Sequence, residues 1–412
     1  MSDGILVACP DCALVQRVPS LPKKGSVRCR RCSAILFKRH TNNIDRPLAL
    51  YITGMIFFIL SNSFPLLTLK FEGQTETTTL LGGVVALYRQ GTNGLAFLVL
   101  LTTIIVPFVQ LSSMIWALMA LKFKVSDKNL PRLLRLLVKI YPWGMLEVFM
   151  LGIFVAVVKL AEMAGIVMGI GVYCFGALIF VIAAAASSMD IGLFWERIAP
   201  SPPVIEKDQI EKLTLISCHS CHFLSQISHH NSYRGYCPRC GEPLHLRKVN
   251  SLSRTWALVV AAAILYIPAN VLPVMQTTSM GSEQSDTILS GVFYLLVNGM
   301  WPLALVIFVA SIFVPLLKLV VLVYLLLSVQ FKSTRHAKDR TLLYRMIESV
   351  GRWSMVDIYV VTILVALVNM GSLAMVEARA GAIAFASVVV LTMLATSSFD
   401  PRLIWDAMEK RS

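Results

Sequence analysis

The chain has 412 residues, 56% of them hydrophobic and only 15% charged, with a mean hydropathy of +0.71. This balance excludes an ordinary soluble globular protein and points to one largely solvated by lipid. A formal charge of +14 invites a nucleic-acid reading, but the basic residues gather in alternate connections between apolar stretches, as in a polytopic membrane protein.

Residues 1–46 are polar, basic and cysteine-bearing, without the apolar core that a cleavable signal peptide needs. They carry Cys9, Cys12, Cys29 and Cys32 as two CxxC pairs with sixteen residues between them. Such pairs bring four soft thiolates within tetrahedral reach of one Zn²⁺, so the segment reads as a cytoplasmic zinc ribbon. Residues 47–196 form a first transmembrane module. A bilayer core of about 30 Å needs roughly 20 apolar helical residues, and stretches at about 47–69, 94–121, 143–164 and 166–188 qualify. The last two are nearly contiguous and predict a tight helical hairpin. Between them and the second stretch, PRLLRLLVKIYPWG from Pro131 reads either as a basic interfacial helix with its leucines toward lipid, or as an extension of the following span.

Residues 197–250 hold a second ribbon, with Cys218, Cys221, Cys237 and Cys240 and fifteen residues between the pairs. His219, His222, His229 and His230 crowd it but are surplus to a full thiolate quartet, and read as surface residues. Residues 251–412 form the second module and a short tail, with stretches at about 254–275, 300–328, 352–371 and 374–397. The predicted fold is thus an all-α polytopic membrane protein: a tandem duplication of a zinc-ribbon plus four-helix module, with eight transmembrane helices and both termini cytoplasmic.

The charge distribution supports that topology. Lys and Arg number nine up to Arg46, six in 122–139, eight in 197–254, six in 332–352 and three in the tail, while the intervening loops hold four. The 276–299 loop has none. Those outer loops, about 70–93 and 276–299, are polar and long enough for a small hairpin or docking surface.

An offset of about 209 residues aligns the two halves, the mark of an internal duplication. CPDC at Cys9 meets CHSC at Cys218, and Asn62xxPro65 meets Asn270xxPro273. Thr79 and Gly83 meet Thr287 and Gly291, and Pro107 meets Pro315. Trp143 and Glu147 face Trp353 and Asp357, and SSMDIGLFWE from Ser187 faces SSFDPRLIWD from Ser397. An even number of spans per module makes these parallel repeats, a plan shared by transporters and some scaffolds. The Asn-x-x-Pro pairs fall toward the outer helix ends, where Asn caps the carbonyls that proline leaves free or the motif simply stops the helix.

Four thiolates leave no open coordination position, which argues for structural rather than catalytic metal. Dithiol redox chemistry and rubredoxin-like iron are the alternatives. Cys174, alone in the fourth span, reads as a small buried hydrophobe. Ionisable groups at membrane depth are costly and mark interiors or wet cavities. Lys318 sits amid VPLLKLVV and needs an anionic or polar partner; Asp357, or Glu147 at the matching place, is a candidate. Boundary positions balanced by Arg352 or Lys139 are the competing account for the two carboxylates. Lys159 is expected to snorkel from its helix end. Ser311 lies seven residues before Lys318 and so on nearly the same face, Ser354 lies three before Asp357, and Thr392 lies deep in the eighth span. Together these suit either a proton relay or a static polar network. Gln110 replaces Lys318 in the first module, so the second is expected to carry ion-coupled work.

PANVLP at Pro268, DTILSG at Asp286, ASIFVPLLK at Ala310, GRWSMVDIYV at Gly351 and FDPRLIWD at Phe399, with the two cysteine quartets, resemble the paraquat-inducible protein A family over essentially the whole chain. The resemblance implies an inner-membrane component of a Gram-negative envelope, partnered by a periplasmic MCE-domain protein and moving phospholipid between membranes. It carries Lys318, Asp357, Ser311, Ser354 and Thr392 over as transport residues, and Glu147 by type only. With no nucleotide-binding loop, any energy would come from a partner or an ion gradient, and proton coupling through Lys318 and Asp357 is the expected mechanism. The chain reads as a non-enzyme, without nucleic-acid binding because Arg28, Arg30 and Arg31 lack an aromatic stacking platform. A non-transporting anchor for the MCE partner, or a redox or stress sensor using the ribbons, are the rival functions.

Overall fold

The computed structural model describes residues 5–18, 25–39, 44–71, 74–124, 129–161, 165–189, 195, 214–227, 235–279, 282–368 and 374–409. His229 and His230 lie outside them. Each ribbon is a pair of two-stranded hairpins: β1 (Ile5–Ala8) with β2 (Val15–Val18) and β3 (Gly25–Arg28) with β4 (Ile35–Arg39) in the first. In the second, β8 (Thr214–Ser217) pairs with β9 (Leu224–Ile227) and β10 (Gly235–Tyr236) with β11 (Pro243–Leu244).

The first module opens with α1 (Asp45–Ser63), followed by hairpin β5 (Leu67–Phe71) and β6 (Gln74–Thr78), and α2 (Leu80–Arg89). The second span runs as α3 (Asn93–Leu100), a π-helical turn Leu101–Ile105 and α4 (Val106–Lys122). The third joins α5 (Leu130–Ile140) through a 3₁₀ turn, Tyr141–Trp143, to α6 (Leu146–Ala161), after which come β7 (Gly165–Met168) and α7 (Ile170–Ser188). The second module repeats this order: α8 (Ser251–Val271), β12 (Met275–Ser279), β13 (Ser282–Asp286), α9 (Ile288–Val297), α10 (Trp301–Phe308), a π turn Val309–Phe313 and α11 (Val314–Gln330). Then follow α12 (Ala337–Val350), the 3₁₀ turn Gly351–Met355, α13 (Val356–Leu367), β14 (Ala374–Ala378), α14 (Ala380–Ser398) and the tail helix α15 (Leu403–Glu409).

Seven helical segments among the described residues are long and apolar enough to cross a bilayer, against the eight expected. The stretch expected at 47–69 forms α1, whose 19 residues reach about 28 Å. Its ends, Asp45-Arg46 and Ser61-Asn62-Ser63, are polar.

Matching residues punctuate both modules. Thr79 and Thr287 are N-caps: Thr79 Oγ1 accepts the Gly82 N–H at 3.0 Å, and Thr287 forms a full capping box with Ser290. Asn62 and Asn270 turn back to donate to the Phe58 and Tyr266 carbonyls, each at 2.8 Å, as α1 and α8 end before Pro65 and Pro273. Pro107 and Pro315 each stand just after a π turn, where the missing proline N–H is absorbed by the wider ladder.

The outer loops form the expected hairpins, but each gains a third strand. Thr68 pairs with Thr77 and Val167, and Thr277 with Gln284 and Val376. The third and fourth spans are therefore not joined by a bare helical hairpin, and 165–168 and 374–378 are strands rather than the starts of helices. A short apolar run is ambiguous by periodicity, and the open edge of the hairpin decides for strand. The fourth span then starts hard against the end of the first. The Gly171 and Gly381 amides donate to Pro65 O and Pro273 O at 3.0 Å, and a Cβ on either glycine would fall 2.7 Å from Phe64 O or 2.5 Å from Leu272 O.

First and fourth spans pack together in each module, and the second spans lie beside the first. The third spans, α6 and α13, meet at the centre, with the Phe149 and Tyr359 rings edge-on at 5.2 Å. Module 1 also grips the outer sheet of module 2: Gln90 accepts the Ala378 N–H at 3.1 Å and donates to Val376 O at 2.8 Å. Apolar side chains such as Phe180, Ile264 and Phe293 stand exposed around the helices, as lipid contact requires.

Of the two forms open to the helix from Pro131, the structure has the extension: α5 runs on through the 3₁₀ turn into α6, with Leu130, Leu134 and Leu137 buried in the protein core and Leu136 and Val138 exposed.

Candidate functional site

Both cysteine quartets converge. Within each, the four sulphurs lie within 4.8 Å of one another, with Cys9–Cys32 at 3.4 Å, Cys12–Cys29 at 3.6 Å, and Cys218–Cys240 and Cys221–Cys237 at 3.5 Å. Zn–S bonds of about 2.3 Å set tetrahedral S···S edges of about 3.8 Å, so the donor set fits a metal ion of that size. Four identical turns make this possible. The residue after each second cysteine, Ala13, Ser33, His222 or Gly241, takes a left-handed φ of 54–72° and donates its N–H back to the first cysteine's carbonyl. His219 and His222 are exposed and stand outside the quartets, as expected. Cys174 is half-buried rather than fully enclosed.

Lys318 is buried, and its partners are neither of the carboxylates expected. Its Nζ donates to the Gly351 carbonyl and to Thr392 Oγ1, both at 3.2 Å, joining α11, the 3₁₀ turn and α14. Ser354 donates to the same carbonyl at 2.9 Å, and Thr392 donates on to Val389 O at 2.9 Å. Ser311 and Asp357 form the neighbouring part of the site. Asp357 feels the Ser311 hydroxyl, but Ser311 Oγ and Asp357 Oδ2 are buried without a hydrogen-bond partner of good geometry. Lys318, Ser354 and Thr392 thus share one set of hydrogen bonds, while Ser311 and Asp357 form a pair of their own, because a lysine in a helix interior takes whatever oxygen the packed helix break presents.

Glu147 is exposed, and Lys139, proposed as its counter-ion, pairs with Glu242 at 3.0 Å. Lys159 is half-buried near the outer end of α6. Gly351 opens the family string GRWSMVDIYV but was not expected among the site residues: a Cβ there would meet Lys318 Cε at 2.7 Å and Nζ at 2.8 Å. Its place in the string GRWSM was the available signal. The first module keeps the same contact with a neutral donor. Gln110 Nε2 lies 3.4 Å from the Tyr141 carbonyl, and Tyr141 is the repeat-equivalent of Gly351.

The family model described as "Paraquat-inducible protein A" matches residues 44–199 and 252–409, one copy per module. The chain belongs to this family. Among curated relatives, it is 33% identical over 404 residues to the intermembrane transport protein PqiA of Escherichia coli (strain K12), covering 97% of this chain and 95% of that protein. It is 32% identical to the lipophilic envelope-spanning tunnel protein A of the same organism, over 97% and 91% of the two chains. A probable intermembrane transport protein of Haemophilus influenzae is 28% identical over 98% and 97%. No solved structure matches the chain significantly. The two matches begin after each ribbon, so the family is defined by its duplicated membrane module, and the Lys318 cluster and its Gln110 counterpart lie within it.

Proposed function

We propose that this family member is a non-enzymatic, eight-span component of a Gram-negative inner membrane that passes phospholipid between the inner and outer membranes with a periplasmic MCE-domain protein. In this reading α1 is the eighth span, both ribbons face the cytoplasm and hold Zn²⁺, and nucleic acid has no part. The relatives' names, intermembrane transport protein and lipophilic envelope-spanning tunnel protein, support the transport class. The charge asymmetry supports the orientation. Zn²⁺, when bound, would clip each ribbon shut, since four thiolates leave no position for water or substrate.

The observation that carries the mechanism is Lys318: a buried lysine held by a carbonyl and a hydroxyl, with Asp357, whose Oδ2 is unpartnered, at the start of the helix that follows the same 3₁₀ turn. A buried charge with no counter-charge is expensive to keep without a function. Protonated, Lys318 draws three helical segments together; deprotonated, it retains weaker hydrogen bonds and releases them more readily. Asp357 and Ser311 are the proton-exchange partners next along the site. The Gln110 contact favours a second reading, in which Lys318 is only a structural bridge in a non-transporting anchor.

Complementation of a strain lacking this protein and its paralogues separates the two. K318Q reproduces the first module's neutral donor, so at matched membrane levels and partner co-purification an anchor keeps its function. Proton-coupled transport predicts that K318Q, K318M and D357N all assemble with the partner yet fail to restore the permeability barrier. Full rescue by K318Q and D357N would sink the coupling.

A further inference from the structure

Each ribbon precedes one module in the chain, but its cysteine turns dock on the other; only the stretch that leaves the second ribbon, Arg247 and Lys248, binds its own module, at Asp406 and Asp400. Arg345 of α12, in module 2, holds the first ribbon: its Nε lies 2.6 Å from Asp11 Oδ2, its Nη1 donates to Cys32 O at 3.1 Å and its Nη2 to Cys32 Sγ at 3.2 Å. Its repeat-equivalent, Arg135 of α5 in module 1, holds the second ribbon through Gly241 O at 3.2 Å and Glu242 Oε2 at 3.1 Å. A second equivalent pair repeats the exchange. Arg31 lies over the Trp405 ring at 4.6 Å, and Arg239 donates to Trp195 O at 3.2 Å. The crossing is therefore a rule of the fold rather than one accidental contact.

Each latch arginine stands six residues before a carbonyl of the membrane site. From Arg345 the chain runs to Gly351, which accepts from Lys318; from Arg135 it runs to Tyr141, which accepts from Gln110. Six helical residues span about 9 Å of continuous, hydrogen-bonded backbone, a stiff connector. Its cytoplasmic end is anchored on Cys32 in module 2 and, in module 1, on Gly241 and Glu242, which directly follow Cys240 in the same metal-binding turn.

We infer that Arg345 and Arg135 are positioning residues through which the metal state of each ribbon sets the helix break of the opposite module. Four thiolates around a divalent ion keep net negative charge and a fixed geometry, giving Arg345 an acceptor at a fixed point. Without the metal nothing ties the four sulphurs to one point and the turn reopens, which frees α12 and with it the Gly351 carbonyl. This coupling goes beyond the transport reading and holds whether the module transports or anchors.

Amide hydrogen exchange of the full-length protein in lipid nanodiscs tests it, with zinc content measured in parallel. C29S should lose one zinc and raise exchange over 351–358 about fivefold or more while leaving 141–148 unchanged; C237S should do the reverse. R345K keeps the charge toward Asp11 but cannot reach both Cys32 acceptors. It should retain two zinc ions, raise exchange over 351–358 to the level of C29S, and show no further increase when combined with C29S. The inference is overturned if C29S opens 141–148 instead, if 351–358 is unchanged in C29S, or if R345K with both zinc ions bound exchanges like wild type.

Discussion

At the scale of single residues, the membrane site is governed by how closely backbone can approach a side chain. Gly351 is the plainest case, because a Cβ there would sit 2.7 Å from Lys318 Cε and 2.8 Å from its Nζ, so the ammonium would have to leave the carbonyl it binds. G351A should therefore displace the ammonium and cost about 1–3 kcal/mol, as overpacking of a tight interior does. Thermal unfolding in nanodiscs reads the loss; an unchanged melting temperature would mean Lys318 repacks freely. The ribbons present the opposite case. Ser33 holds φ at 60°, where a glycine would be unstrained, as Gly241 is at the matching place. S33G should relieve about 1 kcal/mol of backbone strain, measured as slower zinc release to a chelator from the first ribbon alone. The sequence made the eight thiolates legible because spacing alone brings CxxC pairs together. It could not show that Lys318 would choose a carbonyl and a hydroxyl over Asp357, since that choice depends on which helix break faces it.

At the scale of elements, α5 and α12 are the parts whose role changed most between sequence and structure. The basic residues of α5 suited headgroup contacts, yet Arg135 and Lys139 both meet Glu242 of the second ribbon. Burial pushes the Glu242 carboxyl up, but the hydrogen bonds and charges of Lys139 and Arg135 outweigh it and hold the group below its ordinary value. A lowered carboxyl stabilises the docked state above its unfolded pKa, and that contribution is lost only as the pH falls through the lowered folded one. E242Q should thus cost about 1 kcal/mol of stability at neutral pH. The gap to wild type should stay constant down to the ordinary carboxylate range and close below it, followed by thermal unfolding across pH. A gap that closes near neutrality would contradict this pairing. The outer strands β7 and β14 make the same point about context. Their few apolar residues carry no helix-versus-strand information of their own, and the hairpin edge beside them supplied it.

At the scale of the whole molecule, the repeat that the sequence displays is not the unit that packs. Along the chain each ribbon leads its own module, whereas in space the first ribbon closes on α12 and α15 of the second module and the second ribbon on α5 of the first. Two metal ions per chain are expected by elemental analysis, falling to one in C29S or C237S; a value of two in either variant would remove that ribbon as a metal site. Length, composition and periodicity by themselves determined that the chain lives in a membrane, that it is duplicated, where its apolar stretches lie and which eight sulphurs converge, because these follow from local pattern and from the hydrophobic thickness of a bilayer. Only the tertiary structure decided the crossed docking of the ribbons, the third strand of each outer sheet and the partners of Lys318. Those depend on contacts between residues far apart in the chain, 33 positions for Lys318 with Gly351 and 334 for Asp11 with Arg345, whose geometry no local pattern encodes.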